Sequence, residues 1–345
     1  LSFVGPVRGE PVASTGELAE MVTAAVDRFF VPGYEALAAA AQRLEQAAGA
    51  WCASGEASAP TEVKAAFRDT VLAFARVEMV RFGPAGRDNR GQRLALWPDP
   101  RGVVRRQVQR ALAAPDQSLW SKDAIDGQSA AIQGLPALEL LNYPKERTET
   151  AADAGHRCRL AAAIAGHVAE VTRRIRSEWT AVDGWRATML APAAENAAYH
   201  SQQEAAADVV RALLTGLQIL REQEIVPRLK AIEGARPASG LPFERSGLSL
   251  DYMLAGLAGA RDLQSQLRLE DVAARVGAKD AEKAWMRQYL ANAYGVLETD
   301  ARLAGATGPI GKTEQGDAKA LRQAAFYANG LRQVIVREIA PAAGI

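Results

Sequence analysis

The stretch LAAAIAGHVAEVTRRIRSEW, residues 160–179, decides the fold class. Its large apolar residues are Leu160, Ile164, Val168, Val171, Ile175 and Trp179, spaced 4, 4, 3, 4 and 4 apart. Steps of three and four keep side chains on one face of a 3.6-residue helix, so these six form one continuous stripe. A strand would instead alternate apolar and polar residues, and no alternating Val/Ile/Thr run occurs anywhere in the chain. The spacing predicts a helix from about 150 to 190, ended by Pro192.

Ala-rich blocks with the same steps lie on both sides, and the whole chain reads as all-α. Ser14 and Glu17 have the spacing of a capping box ahead of a first helix. Pro32-Gly33 is expected to kink or break it before Tyr34–Trp51 continues. A second helix is expected from Pro60 to Phe82, stopped by Gly83-Pro84, with residues 84–100 as loop. Further helices are expected near 102–113, 128–142, 195–231, 249–268, 279–303 and 314–339, with a Gly-rich loop at 305–311. The layout predicts two consecutive helix bundles of about four main helices each, residues 1–192 and 193–345.

Composition narrows the classes of function. The 345 residues carry 41 Lys+Arg against 40 Asp+Glu, a formal charge of +1. That balance argues against nucleic acid or an anionic membrane as the main partner, since both leave a basic excess. No run approaches the roughly 18 unbroken apolar residues needed to span a bilayer. Residues 1–6 lack an initiator Met, a basic segment and an apolar segment, so the chain is expected to be a processed or trimmed one. Cys52 and Cys158 either bridge, closing a loop of about 100 residues worth up to ~4–5 kcal/mol, or remain two core thiols.

Two carboxylates occupy apolar surroundings. At 100° per residue, Glu78 falls within the stripe of Phe67, Val71 and Phe74, with Arg81 at its edge. Glu139 is the only charge in Gln133–Leu141 and projects with Ile132, Leu135 and Pro136. A buried carboxylate is costly unless paired or bound, so each either joins an internal ion pair or faces a ligand. Pro136, read as interior to a helix over 128–142, is expected to kink it and free a carbonyl near Ile132. Downstream, Ser246 or Ser249 is placed to cap the helix at 249, and Arg245 to form an anion-binding corner beside it.

His156 and His167 lie about 16 Å apart along one helix and cannot share a metal. His200 has Glu204 one turn on, a spacing that binds metals but is common on solvated helices. No His-Glu-x-x-His sequence, phosphate loop or Gly-x-Ser-x-Gly elbow is present.

Several stretches together resemble the imelysin-like family. They are Phe30-Val31-Pro32-Gly33-Tyr34, Val80-Arg81-Phe82-Gly83-Pro84, Trp97-Pro98, Gln133–Leu141 and Phe243-Glu244-Arg245-Ser246-Gly247, in the family's order and across nearly the whole chain. The resemblance implies two helical bundles with a functional cleft between them, an exported, periplasmic or lipid-anchored protein, and a link with iron acquisition. The family's Gly-x-His-x-x-Glu motif falls on Gly134, Pro136 and Glu139, so proline replaces the histidine. That departure removes the best transition-metal ligand of the motif.

The cleft is expected to be lined by Glu78, Arg81, Trp97, Pro136, Glu139, Arg245 and Ser246, with no catalytic residue, metal or cofactor assigned. A protein binding a polar or zwitterionic small molecule, or a peptide end, is the leading expectation. A protein partner from an uptake system fits the same resemblance. A metal-dependent peptidase and a helical interaction scaffold are the alternatives.

Overall fold

The computed structural model describes residues 13–114, 121–144, 151–234, 240–275, 280–305 and 315–345. Every regular element among them is a helix. Ser14 and Glu17 close the expected capping box at the start of α1, Thr15–Ala25. The chain does not break at Pro32. A π-helical turn, Val26–Phe30, carries α1 directly into α2, Val31–Ser54, with Pro32 in the first turn of α2. Proline has no N–H to give the preceding turn, and the wider π turn absorbs that missing bond without a bend in the sequence of helical residues.

The same device recurs twice. Leu220–Ile225 is a π turn before Val226-Pro227, and Ile335–Ile339 is one before Ala340-Pro341. Helix α3, Thr61–Val77, ends five residues earlier than expected, with Glu78 at its C-terminal boundary. Residues 84–100 are not plain loop, because short helical turns occupy Gly83–Gly86, Arg87–Asn89 and Arg90–Leu94. Helix α4, Val103–Ala113, starts where the Asp99 carboxylate accepts the amides of Val103 and Val104 at 2.8 and 2.9 Å.

The segment carrying Glu139 also differs from expectation. A 3-10 turn at Ala130–Ile132 precedes α5, Leu135–Asn142, so Pro136 lies in the first turn of a helix. First-turn amides have no intrahelical acceptor, and proline there costs no hydrogen bond and makes no kink. The expected helix over 150–190 is α6, Ala151–Thr180, followed after a turn by α7, Trp185–Leu190. All six residues of the Leu160–Trp179 stripe are buried.

The remaining long helices are α8 (Gln202–Ile219), α9 (Val226–Ile232), α10 (Ser249–Leu267), α11 (Asp280–Gly305) and α12 (Gln315–Val334). The Gly-rich stretch after Gly305 lies outside the described residues, as do residues 235–239. Helix α2 packs on α3 and α6; α8 packs on α1 and α10; α11 pairs with α12. One buried apolar cluster extends from Ala13 to Ala343.

Cys52 at the end of α2 and Cys158 in α6 form a disulfide with a Cα–Cα distance of 5.3 Å. Of the two readings of these cysteines, the bridge is the one realised. No helix among the described residues is long and apolar enough to cross a membrane.

Helix α3 meets α10 at very short range, and this contact positions the site. A side chain at Gly259 would put its Cβ 2.4 Å from the Arg76 carbonyl oxygen, so only glycine allows the approach. Arg76 pairs with Asp262, and Arg68 pairs with Asp251 at 3.1 Å, on either side of that contact. Tyr252, on the same face-to-face pair of helices, reaches Glu78 at the C-terminal boundary of α3 with its hydroxyl.

Candidate functional site

Glu139 is buried, with 8% of its surface exposed, on the second turn of α5. Its position depends on Gly134, whose missing side chain admits the carbonyl oxygens of Arg93 and Leu94. A Cβ there would lie 2.4 and 2.3 Å from them. Oε1 of Glu139 accepts hydrogen bonds from both the backbone N–H and the hydroxyl of Ser246, each at 2.7 Å. Neither Ser246 nor Ser249 caps α10: the boundary residue is Leu248, and the Ser249 hydroxyl donates to the Pro242 carbonyl at 2.7 Å. The buried acid takes the Ser246 hydroxyl and the Pro242 carbonyl takes that of Ser249, so neither is left to cap the helix.

Arg245 does not turn its guanidinium to the N-terminus of α10, where the anion-binding corner was expected. It donates to the Tyr143 carbonyl at 3.1 Å, at the end of α5, and its charge favours ionised Glu139. Burial pushes the Glu139 carboxyl above the usual carboxylate range, against the pull of Ser246 and Arg245.

Glu78 anchors a second cluster. It is 8% exposed; Oε1 takes a bond from Arg81 Nη2 at 3.1 Å, and Oε2 takes one from the Tyr252 hydroxyl. The expected Glu78–Arg81 pair is therefore present, joined by a tyrosine 174 residues away in sequence. Burial raises the Glu78 carboxyl, while Arg81 and Tyr252 oppose the shift. Glu224, in the π turn before Pro227, is 4% exposed, and its Oε2 has no hydrogen-bond partner among the described residues. Burial and the nearby charge of Glu78 push it well above the usual range, with Arg228 opposing.

Tyr252, Glu224 and Arg228 were not picked out as site residues from the sequence. Glu224 carried the right signal, a lone acid in line with Val209, Leu213, Leu217 and Leu220. Tyr252 carried none, because a tyrosine on a helical apolar face is ordinary core material.

Two spaces adjoin these clusters. The first is a cavity of about 20 Å³ touched by Trp97, Pro136, Glu139, Phe243 and Tyr252. A water needs about 10–15 Å³ of such volume, so this space is the size of one water molecule. The second is an open groove of about 510 Å³. Arg81, Asn89, Gln92, Trp97 and Pro98 line one side, and Thr215, Gln218, Ile219 and Gln223 the other. Trp97 borders both spaces.

The seven residues expected in one cleft thus divide. Trp97, Pro136 and Glu139 share the small cavity; Arg81 and Trp97 share the groove; Glu78 reaches it through Arg81; Arg245 and Ser246 line neither space but hold Glu139 and the end of its helix.

Among the described residues no histidine lines either space. His167 is buried beside Asp126, Nδ1 to Oδ1 3.8 Å, and burial lowers it to about 4. Glu204 accepts the His200 backbone amide at 2.6 Å, in a helix start capped by Ser201. Among the described residues no group of three or more His, Cys, Asp or Glu side chains is placed to hold a metal ion.

Fold and site together define an all-α protein in which buried acids of early segments are clamped by residues in and just before a much later helix. The chain belongs to the imelysin family, whose model, Imelysin (Peptidase_M75), matches residues 30–330. It is similar in structure to an imelysin-like protein from Psychrobacter arcticum 273-4, with a TM-score of 0.71 and 18% identity over 99% of each chain. It is similar again to a "putative iron-regulated protein A precursor" from Parabacteroides distasonis ATCC 8503, with a TM-score of 0.71 and 13% identity over 96% of this chain and 98% of that one. At these identities both likenesses speak for the fold. No curated protein matches the chain.

Proposed function

We propose that this chain is an exported binding protein that holds a small ligand in the groove beside Arg81 and Trp97, in the service of iron uptake. The observation that carries the reading is the groove of about 510 Å³, within the range of small-molecule sites. Its walls come from residues 81–98 and 215–223. Those walls fall on either side of a division into bundles 1–192 and 193–345, which we retain as part of the proposal.

Export is supported by the Cys52–Cys158 bridge, since disulfides persist in oxidising compartments. The word "precursor" in the description of the Parabacteroides distasonis relative points the same way, and its description as iron-regulated supports the iron link. Attachment to a membrane would then be through a lipid anchor, and an uptake-system protein would be the natural partner.

The family name speaks of peptidases, but the residues around Glu139 suit binding better. One carboxyl already committed to Ser246, a proline and a serine do not make a transition-metal ligand set. Thermal shift of the purified chain against ferric, ferrous and zinc salts and a metabolite panel tests the proposal. A ligand that raises Tm in the parent, and fails to in Gln218→Ala or Trp97→Ala, supports the groove. Chelator-sensitive cleavage of denatured protein substrates would overturn it in favour of hydrolysis.

A further inference from the structure

We infer that the groove takes a neutral, hydroxyl-rich molecule, a sugar or short oligosaccharide; this rests on the groove reading above. The charge of the lining is the starting point. Among the described residues Arg81 is its one charged member, and Glu78 already neutralises that guanidinium at 3.1 Å. An anion would have to share that guanidinium with a buried carboxylate already bonded to its Nη2. A cation, or the free amine of an amino acid or short peptide, would meet no acid on either wall. Neutral ligands are what remain.

The hydrogen-bonding groups narrow the class further. Asn89 and Gln92 on one wall face Gln218 and Gln223 on the other side of the groove. Each primary amide offers two donors and a carbonyl acceptor, the combination that a hydroxyl, itself donor and acceptor, can use in either direction. The hydrogen bonds formed among the described residues involve none of these four amides, so they are uncommitted. Thr215, by contrast, spends its hydroxyl on the Arg211 carbonyl at 2.8 Å. Trp97, Pro98 and Ile219 supply apolar surface in the same groove. A sugar ring presents just these two characters, a C–H face for aromatic and aliphatic surface and a rim of hydroxyls for amides.

Isothermal titration of the full chain with maltose, cellobiose and N,N′-diacetylchitobiose tests the inference, with glycylglycine, citrate and spermidine as charged comparisons. At least one saccharide should bind, and Gln218→Ala, an exposed helical position, should weaken it about tenfold, the loss of one or two hydrogen bonds. Gln92→Ala should do the same from the opposite wall. Binding confined to citrate, spermidine or glycylglycine, and lost in Gln218→Ala, overturns the sugar assignment while the groove stands. Saccharide binding that both variants leave unchanged puts the sugar elsewhere and overturns the inference. No binding by any probe of either kind removes both.

Discussion

Glu139 accepts two hydrogen bonds at 2.7 Å from a single residue, Ser246, which lies 107 positions further along the chain. The pair is structural in kind: it ties the second turn of α5 to the approach to α10, in a place where water barely reaches. A buried carboxylate left short of donors costs its desolvation penalty, so each of the two bonds counts towards the fold.

Ser246→Ala removes the hydroxyl donor and keeps the amide. It should lower unfolding free energy by about 1–3 kcal/mol, the range for hydrogen bonds to charged groups. Glu139→Ala should cost more, because it leaves the Ser246 N–H without its acceptor and removes the negative charge beside Arg245. Urea unfolding followed by circular dichroism measures both. Equal stability of parent and Glu139→Ala would show that the acid is not clamped as described.

Gly134→Ala places a methyl group against two carbonyl oxygens closer than 2.5 Å. No flexible side chain is available to yield, so either the start of α5 or the Arg90–Leu94 turn must move. A loss of several kcal/mol is expected, seen as a large drop in Tm or failure to accumulate folded protein. A drop of under about 1 kcal/mol would contradict the close approach.

Acidity should act in two opposing ways. Glu224 binds its proton more tightly when folded, so its contribution is full below the ordinary carboxylate pKa of 4.5 and is lost as pH rises towards its raised value. His167 is the reverse case: its folded pKa, about 4, lies below the ordinary 6.5, so stability falls as pH drops from 6.5 to 4. Glu224→Gln should therefore gain stability over the parent at pH 8 and lose that advantage near pH 4.5. His167→Asn should flatten the fall below pH 6.5. Chemical denaturation at five pH values between 4 and 8 checks both signs.

Reducing the Cys52–Cys158 bond, or replacing both cysteines with serine, should cost about 2–5 kcal/mol, as expected for a long closed loop. Parallel melts with and without a thiol reductant measure it. A bridge of no consequence would leave the two curves superimposed.

Much of the helical plan was legible because it rests on local spacing. The stripe from Leu160 to Trp179, the capping box at Ser14 and the helices after residue 249 all follow from residues a turn apart. Two of the errors have a common cause in prolines. Pro32 was read as a kink or break and Pro136 as a kink, yet a π turn accommodates the first, and a helix start accommodates the second. Both solutions depend on where the helix begins and how its turns are wound, which periodicity does not report.

The acids were legible for a different reason. A charge among apolar neighbours on one helix face is anomalous at any distance from its partner, so Glu78 and Glu139 stood out alone. Their partners did not. Tyr252 meets Glu78 from 174 residues away and Ser246 meets Glu139 from 107 residues away, contacts that only the packing of distant segments creates. Long-range closure of this type leaves no trace in neighbouring residues.

The order of the chain gives the disulfide one more consequence. A polypeptide made from its N-terminus owns both sulfurs once residue 158 has emerged, when residue 246 does not yet exist. The covalent tie between α2 and α6 can therefore be in place while the acid at 139 is still without its serine. The staple between α2 and α6 asks nothing of the later helices, whereas the acid at 139 is satisfied only once they arrive.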